Sequence, residues 1–131
     1  MKILVGLASL LTIIAAPVNA TEISTHILDL ARGIGGQNVP VTLSKRSADG
    51  QWQRVGSAHT DSNGRVRSFG DAAKFTAGDY RLEFDMSAYP DAASKPFFPE
   101  IAVTFRVQDA SSHYHVPVVV SPFGYSTYRG N

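Results

Sequence analysis

The chain has 131 residues, no cysteine, and 12 basic against 11 acidic side chains, a formal charge of +1. That length fits one domain with a core large enough to fold without covalent staples, and the lack of cysteine leaves packing or association to hold it together. The balanced charge excludes partners that need a basic excess, nucleic acid and anionic membrane surfaces alike.

The first twenty residues stand apart from the rest. Lys2 precedes an apolar stretch from Ile3 to Ala16, and Val18-Asn19-Ala20 forms a small-x-Ala site ahead of Thr21. This reads as a cleavable secretory signal over residues 1–20, and the apolar run is too short for a membrane span. The domain then occupies residues 21–131. Its one lysine lost with the signal, the mature chain is formally neutral, a state that does little to oppose self-association.

Short strands follow. Ile23 to Leu28 and Val39 to Leu43 read as strands separated by Gly33-Ile34-Gly35-Gly36, and Trp52 to Ser57 follows the turn signal Asp49-Gly50. Asn63-Gly64 is the strongest hairpin signal and places Arg65 first after the turn. From Asp79 to Met86, Tyr80, Leu82, Phe84 and Met86 share one face and charged residues the other. A helical turn or two fits within Ser87 to Ser94, limited by Pro90. Ile101 to Gln108 alternates again, and Val116 to Val120 is a continuous apolar run with Pro117 near its start and Pro122 after it. The pattern predicts an all-β fold: a two-sheet antiparallel sandwich of about eight short strands with one short helix.

Four histidines invite chemistry: His26, His59, His113 and His115. His113 and His115 share one strand face with Tyr114 on the other. An H-x-H pair with a third imidazole can hold Zn²⁺ and leave a position for water, yet no cysteine, H-E-x-x-H or acidic cluster adjoins it. The plainer reading has both rings hydrogen-bonded near a strand end. His26 sits within an apolar strand, where a satisfied core histidine is the ordinary case; Arg65 after a tight turn is ordinarily solvated. Gly33 to Gly36 lacks the Lys-Ser/Thr of a phosphate loop, and Gly124 to Tyr128 fails the nucleophile-elbow pattern, Tyr128 standing where glycine is needed.

Together, Ser24-Thr25-His26-Ile27-Leu28-Asp29, Asp61-Ser62-Asn63-Gly64-Arg65 and the run from His113-Tyr114-His115-Val116-Pro117 through Ser121-Pro122-Phe123-Gly124-Tyr125-Ser126-Thr127-Tyr128-Arg129-Gly130 resemble the 5-hydroxyisourate hydrolases. These are the transthyretin-like enzymes of urate breakdown, and the resemblance spans essentially the whole mature chain. Transthyretin, a hormone carrier of the same fold, keeps a run like Ser121 to Thr127 but lacks the Tyr-Arg-Gly ending and the set of histidines. Position 131 departs from the family pattern: Asn131 replaces a serine, and an amide hydrogen-bonds but does not relay a proton as a hydroxyl does.

The resemblance implies a transthyretin-like sandwich, a homotetramer with its active site in the channel between two dimers, and no cofactor. It implies water attack on a ring carbonyl of 5-hydroxyisourate, giving 2-oxo-4-hydroxy-4-carboxy-5-ureidoimidazoline. His26 and His115 are then the proton carriers, Arg65 the donor to developing negative charge, and His113, Tyr128 and Arg129 contacts to the substrate or the tail. Exported bacterial members of the family make the periplasm the expected compartment. The alternatives are a periplasmic carrier whose channel binds a small aromatic ligand without reacting, and a zinc site at His26, His113 and His115.

Overall fold

Period-two alternation becomes nine strands in two sheets over residues 12–13, 22–71, 75–92 and 94–131, those that the computed structural model describes. Apart from residues 12–13, the predicted signal and its cleavage point lie outside them. The strands are β1 (Glu22–Asp29), β2 (Ile34–Gly35), β3 (Pro40–Arg46), β4 (Trp52–His59), β5 (Arg65–Val66), β6 (Gly78–Asp85), β7 (Glu100–Val107), β8 (His113–Ser121) and β9 (Gly124–Thr127). One sheet runs β2-β1-β8-β9, with β5 also pairing β1; the other runs β4-β3-β6-β7. Ile23, Ile27, Val116 and Val118 from the first sheet and Val41, Leu43, Leu82 and Phe84 from the second meet in the core. Each such side chain contributes roughly 1.5–3 kcal/mol through removal from water.

Three details differ from the reading of the sequence. The expected helix is a single 3-10 turn, Met86–Ala88, capped by Asp85, whose carboxylate accepts from the Ala88 amide. It stops there because Tyr89 precedes Pro90 and is therefore held extended, at φ −74° and ψ 106°. Asn63-Gly64 makes its tight turn, but β4 and β5 do not pair across it; β5 pairs antiparallel with β1 in the other sheet. The third is β1 with β8, a parallel pair in an otherwise antiparallel sandwich. Most of the chain separates those two strands, so no hairpin dictates their direction.

That parallel pair keeps register over eight positions, from Glu22 beside His113 to Asp29 beside Val120. The inner face is secured by Thr25, whose hydroxyl donates to the Val116 carbonyl at 2.7 Å, and by Asp29, which accepts from the Tyr89 hydroxyl at 2.8 Å.

Leu82 is fully buried between Leu43 on β3 and Val103 on β7. Leu82→Ala is expected to cost about 2–5 kcal/mol, lowering the urea midpoint at unchanged slope. Val55→Ala, at an exposed position, is expected to stay within about 0.5 kcal/mol.

Candidate active site

Alternation on β1 sends Ile23, Thr25, Ile27 and Asp29 inward and Glu22, Ser24, His26 and Leu28 outward. On β8 it sends Tyr114 and Val116 inward and His113 and His115 outward. The parallel register then sets Glu22 beside His113 and Ser24 beside His115, while β5 sets Arg65 beside His26. Paired residues point to the same side of a sheet, so three imidazoles and a guanidinium share its outer face.

The His26 imidazole is held by a turn. Its Nε2–H donates to the Asn63 carbonyl at 2.8 Å, so the neutral ring has its proton on Nε2 and a bare Nδ1. The Asp61 carboxylate builds the turn by accepting from the amides of Asn63 and Arg65, each at 2.9 Å. Those amides, that of Arg65 foremost, hold the Asp61 carboxyl below its ordinary range. The turn also interlocks with β2, for a β-carbon on Gly35 would lie 1.9 Å from the Asn63 carbonyl oxygen. Only a glycine leaves that oxygen room to receive His26.

His115 is held from two sides. Its Nδ1 lies 2.8 Å from the Ser24 hydroxyl, which is also 3.3 Å from Nε2 of His113. The His113 Nδ1 lies 3.3 Å from the Glu22 carboxylate, and the rings of His113 and His115 stack 6.3 Å apart. The tail lies over His115: the Gly130 amide donates to the His115 carbonyl at 2.8 Å, and a β-carbon on Gly130 would sit 2.5 Å from the ring. Gly130, next to last in the chain, is therefore a fitting surface for the imidazole.

An open groove of about 700 Å³ lies over Glu22, Ser24, Arg65, His113, His115 and Asn131. A second, of about 730 Å³, lies over His26, Ile34, Asn63, Arg65 and Val119. Arg65 lines both and joins them into one outer face, polar at one end and apolar at the other.

Tyr128 and Arg129 lie elsewhere within the chain. The Arg129 guanidinium stacks 4.8 Å over the ring of Tyr114, which points to the opposite side of β8 from the imidazoles. Both residues line a separate groove of about 320 Å³ with Phe105 and Arg106 of β7. His59 is exposed at the end of β4, outside the cluster. Among the described residues no three histidine, cysteine or acidic side chains are grouped to hold a metal ion. The three-imidazole zinc centre thus does not form within one chain.

Sequence reasoning gave no role to Glu22, Ser24 or Asp61, and read the Asn63-Gly64 turn without the carbonyl that receives His26. Ser24 was within reach, being two residues from His26 and so on its face of an extended strand; its pairing with His115, 91 residues away, was not.

The match to known proteins follows this architecture. The model of the HIUase/transthyretin family matches residues 23–130. The chain belongs to that family. HIUase is 5-hydroxyisourate hydrolase, and the enzyme of that name from Salmonella typhi is 35% identical across the whole of both chains. Among solved members of the HIUase/transthyretin family, sea bream transthyretin in complex with thyroxine superposes with a TM-score of 0.77 at 32% identity, covering 83% of this chain and 94% of that one. The 5-hydroxyisourate hydrolase of Klebsiella pneumoniae superposes at 0.72 with 29% identity, covering 85% and 99%. Backbone likeness thus extends to a thyroxine-bound transthyretin and a hydrolase alike, and side chains must separate them.

Burial is the main cause holding the His26 and His115 imidazoles below their ordinary value; the positive charge of Arg65 pushes both the same way. Since burial disfavours the charged form, both rings stay neutral at neutral pH and take up a proton only below about 6.5. NMR titration is expected to give midpoints below that value for both, and Arg65→Ala to raise both midpoints.

Proposed function

We propose that the protein is a 5-hydroxyisourate hydrolase of urate breakdown. The observation that carries this reading is the register that sets two neutral, partly buried imidazoles and an arginine on one open face. It joins a family in which a relative bearing that enzyme's name matches the full length of the chain. A carrier of an aromatic hormone has no need of neutral imidazoles beside a guanidinium. A hydrolase does.

In this reading His115 takes a proton from water through Nε2, and the resulting hydroxide adds to a ring carbonyl carbon of 5-hydroxyisourate. The negative charge arising on the carbonyl oxygen is met by the planar donor fork of Arg65. The ring C–N bond then breaks, and the imidazolium returns the proton to the departing nitrogen. On the other side of Arg65 the bare Nδ1 of His26 accepts from a ring N–H or the hydroxyl of the substrate, and His113 borders the water. The product is 2-oxo-4-hydroxy-4-carboxy-5-ureidoimidazoline. The residues themselves supply base, donor and positioning.

The active unit in this reading is a homotetramer, with the outer sheet faces of two dimers turned toward a shared channel. Support comes from the open imidazole face and from the exposed aromatics Phe97, Phe123 and Tyr125, the first two of which adjoin each other. Association is also the means by which Tyr128 and Arg129 of one subunit reach the imidazoles of another. Residues 1–20 direct export and are removed, placing residues 21–131 in the periplasm.

Purified residues 21–131 mixed with freshly generated 5-hydroxyisourate are expected to speed its ultraviolet decay well above a no-enzyme control. His115→Ala is expected to lower kcat by roughly 10²–10⁴. Arg65→Lys is expected to impair turnover, because an ammonium does not reproduce the fork. Binding of the compound with decay at the control rate would establish the carrier instead. Sedimentation is expected to give a tetramer at micromolar concentration, and full activity in a monomer would overturn the shared channel. Deleting residues 128–131 is expected to abolish turnover while leaving the circular dichroism of the sandwich unchanged.

A further inference from the structure

We infer that Ser24 is a positioning residue that decides which nitrogen of His115 carries the proton, through a one-way hydrogen-bond chain running Glu22–His113–Ser24–His115. The inference rests on the reading of His115 as the base.

The direction follows from counting donors. The Glu22 carboxylate has only lone pairs, so the contact at 3.3 Å to His113 Nδ1 requires the proton on that nitrogen. Neutral His113 then has a bare Nε2, which can only accept. The Ser24 hydroxyl, 3.3 Å away, therefore donates its single proton to it. A hydroxyl has one proton, and with it committed to His113, Ser24 meets His115 with a lone pair. The closer contact, 2.8 Å to His115 Nδ1, is consequently Nδ1–H donating to Ser24 Oγ. The outcome is a His115 ring whose Nε2 is bare, the state a general base needs.

Position makes the device specific. Ser24 is 7% exposed, so water competes little for its hydroxyl, and the chain starts at Glu22 on the open rim of the groove. Without the hydroxyl, the side-chain contacts no longer choose between the two tautomers of His115, and only the Ser24 backbone carbonyl, which also bonds the ring, remains to bias it. In the proton-on-Nε2 form the ring has no lone pair toward water and does not act as a base. Threonine preserves the oxygen and its donor count, whereas alanine removes both.

The test reads the tautomer directly. Nitrogen-15 NMR of the unliganded protein, above the pH range in which the imidazoles titrate, is expected to give a protonated Nδ1 and a bare Nε2 for His115. Ser24→Ala is expected to move both signals toward the average of the two tautomers and to lower kcat by the share of rings that lose the bare Nε2, about twofold at equal populations, at nearly constant KM. Ser24→Thr is expected to restore the wild-type signals and most of kcat. Glu22→Gln, on an exposed side chain that the fold does not depend on, is expected to move the His115 signals in the same direction by less. Wild-type His115 protonated on Nε2, or signals unchanged in both Ser24→Ala and Glu22→Gln, would overturn the inference. Failure of the protein to open 5-hydroxyisourate with the NMR pattern as expected would instead remove the hydrolase reading and leave the chain of hydrogen bonds standing.

Discussion

The site depends on the parallel pairing of β1 with β8. A sheet reads out register in steps of two, so displacing one strand by a single residue would turn every outward side chain inward. Here the register is pinned from the buried side, by Ile23 and Ile27 packing with Val116 and Val118, and by the hydroxyl of Thr25 on the Val116 carbonyl. The core thus positions the imidazoles without touching them. Ser24 meets His115 because the residues on either side of it have no other place to go.

Much of this was legible in the sequence, because alternation is a local signal. β6 and β7 were plain from Tyr80-Leu82-Phe84 and Ile101-Val103-Phe105, and the shared face of His113 and His115 followed from their spacing. Arg65 was placed correctly after the turn. What local signals do not carry is partnership. Nothing near Asn63-Gly64 says that the strand after the turn leaves β4 for β1, and nothing near Ser24 names His115. The turn or two of helix expected within Ser87 to Ser94 forms as one 3-10 turn that starts at Met86, and it ends for a reason the sequence did contain, Pro90 fixing the residue before it.

The family resemblance supplied the chemistry, and the structure supplied the reason the residue types work together. Burial and the charge of Arg65 act in the same direction on His26 and His115, keeping them neutral. Tyr128 and Arg129, by contrast, are held over Tyr114 on the far side of β8 while Gly130 is bonded to His115. The tail therefore crosses the rim of the sheet between two adjacent residues. In a single subunit it serves one face with its backbone and the other with its side chains.

The fit of Gly35 against the Asn63 carbonyl reaches beyond conformational freedom. Surface connections are ordinarily where a fold absorbs insertions and drift. Here one such connection is keyed to the short edge strand β2, and the oxygen at their junction is the acceptor for His26. Neither segment is free to lengthen or gain bulk alone without unseating an imidazole on a different strand, so a peripheral glycine is tied to the chemistry as firmly as the residues that perform it.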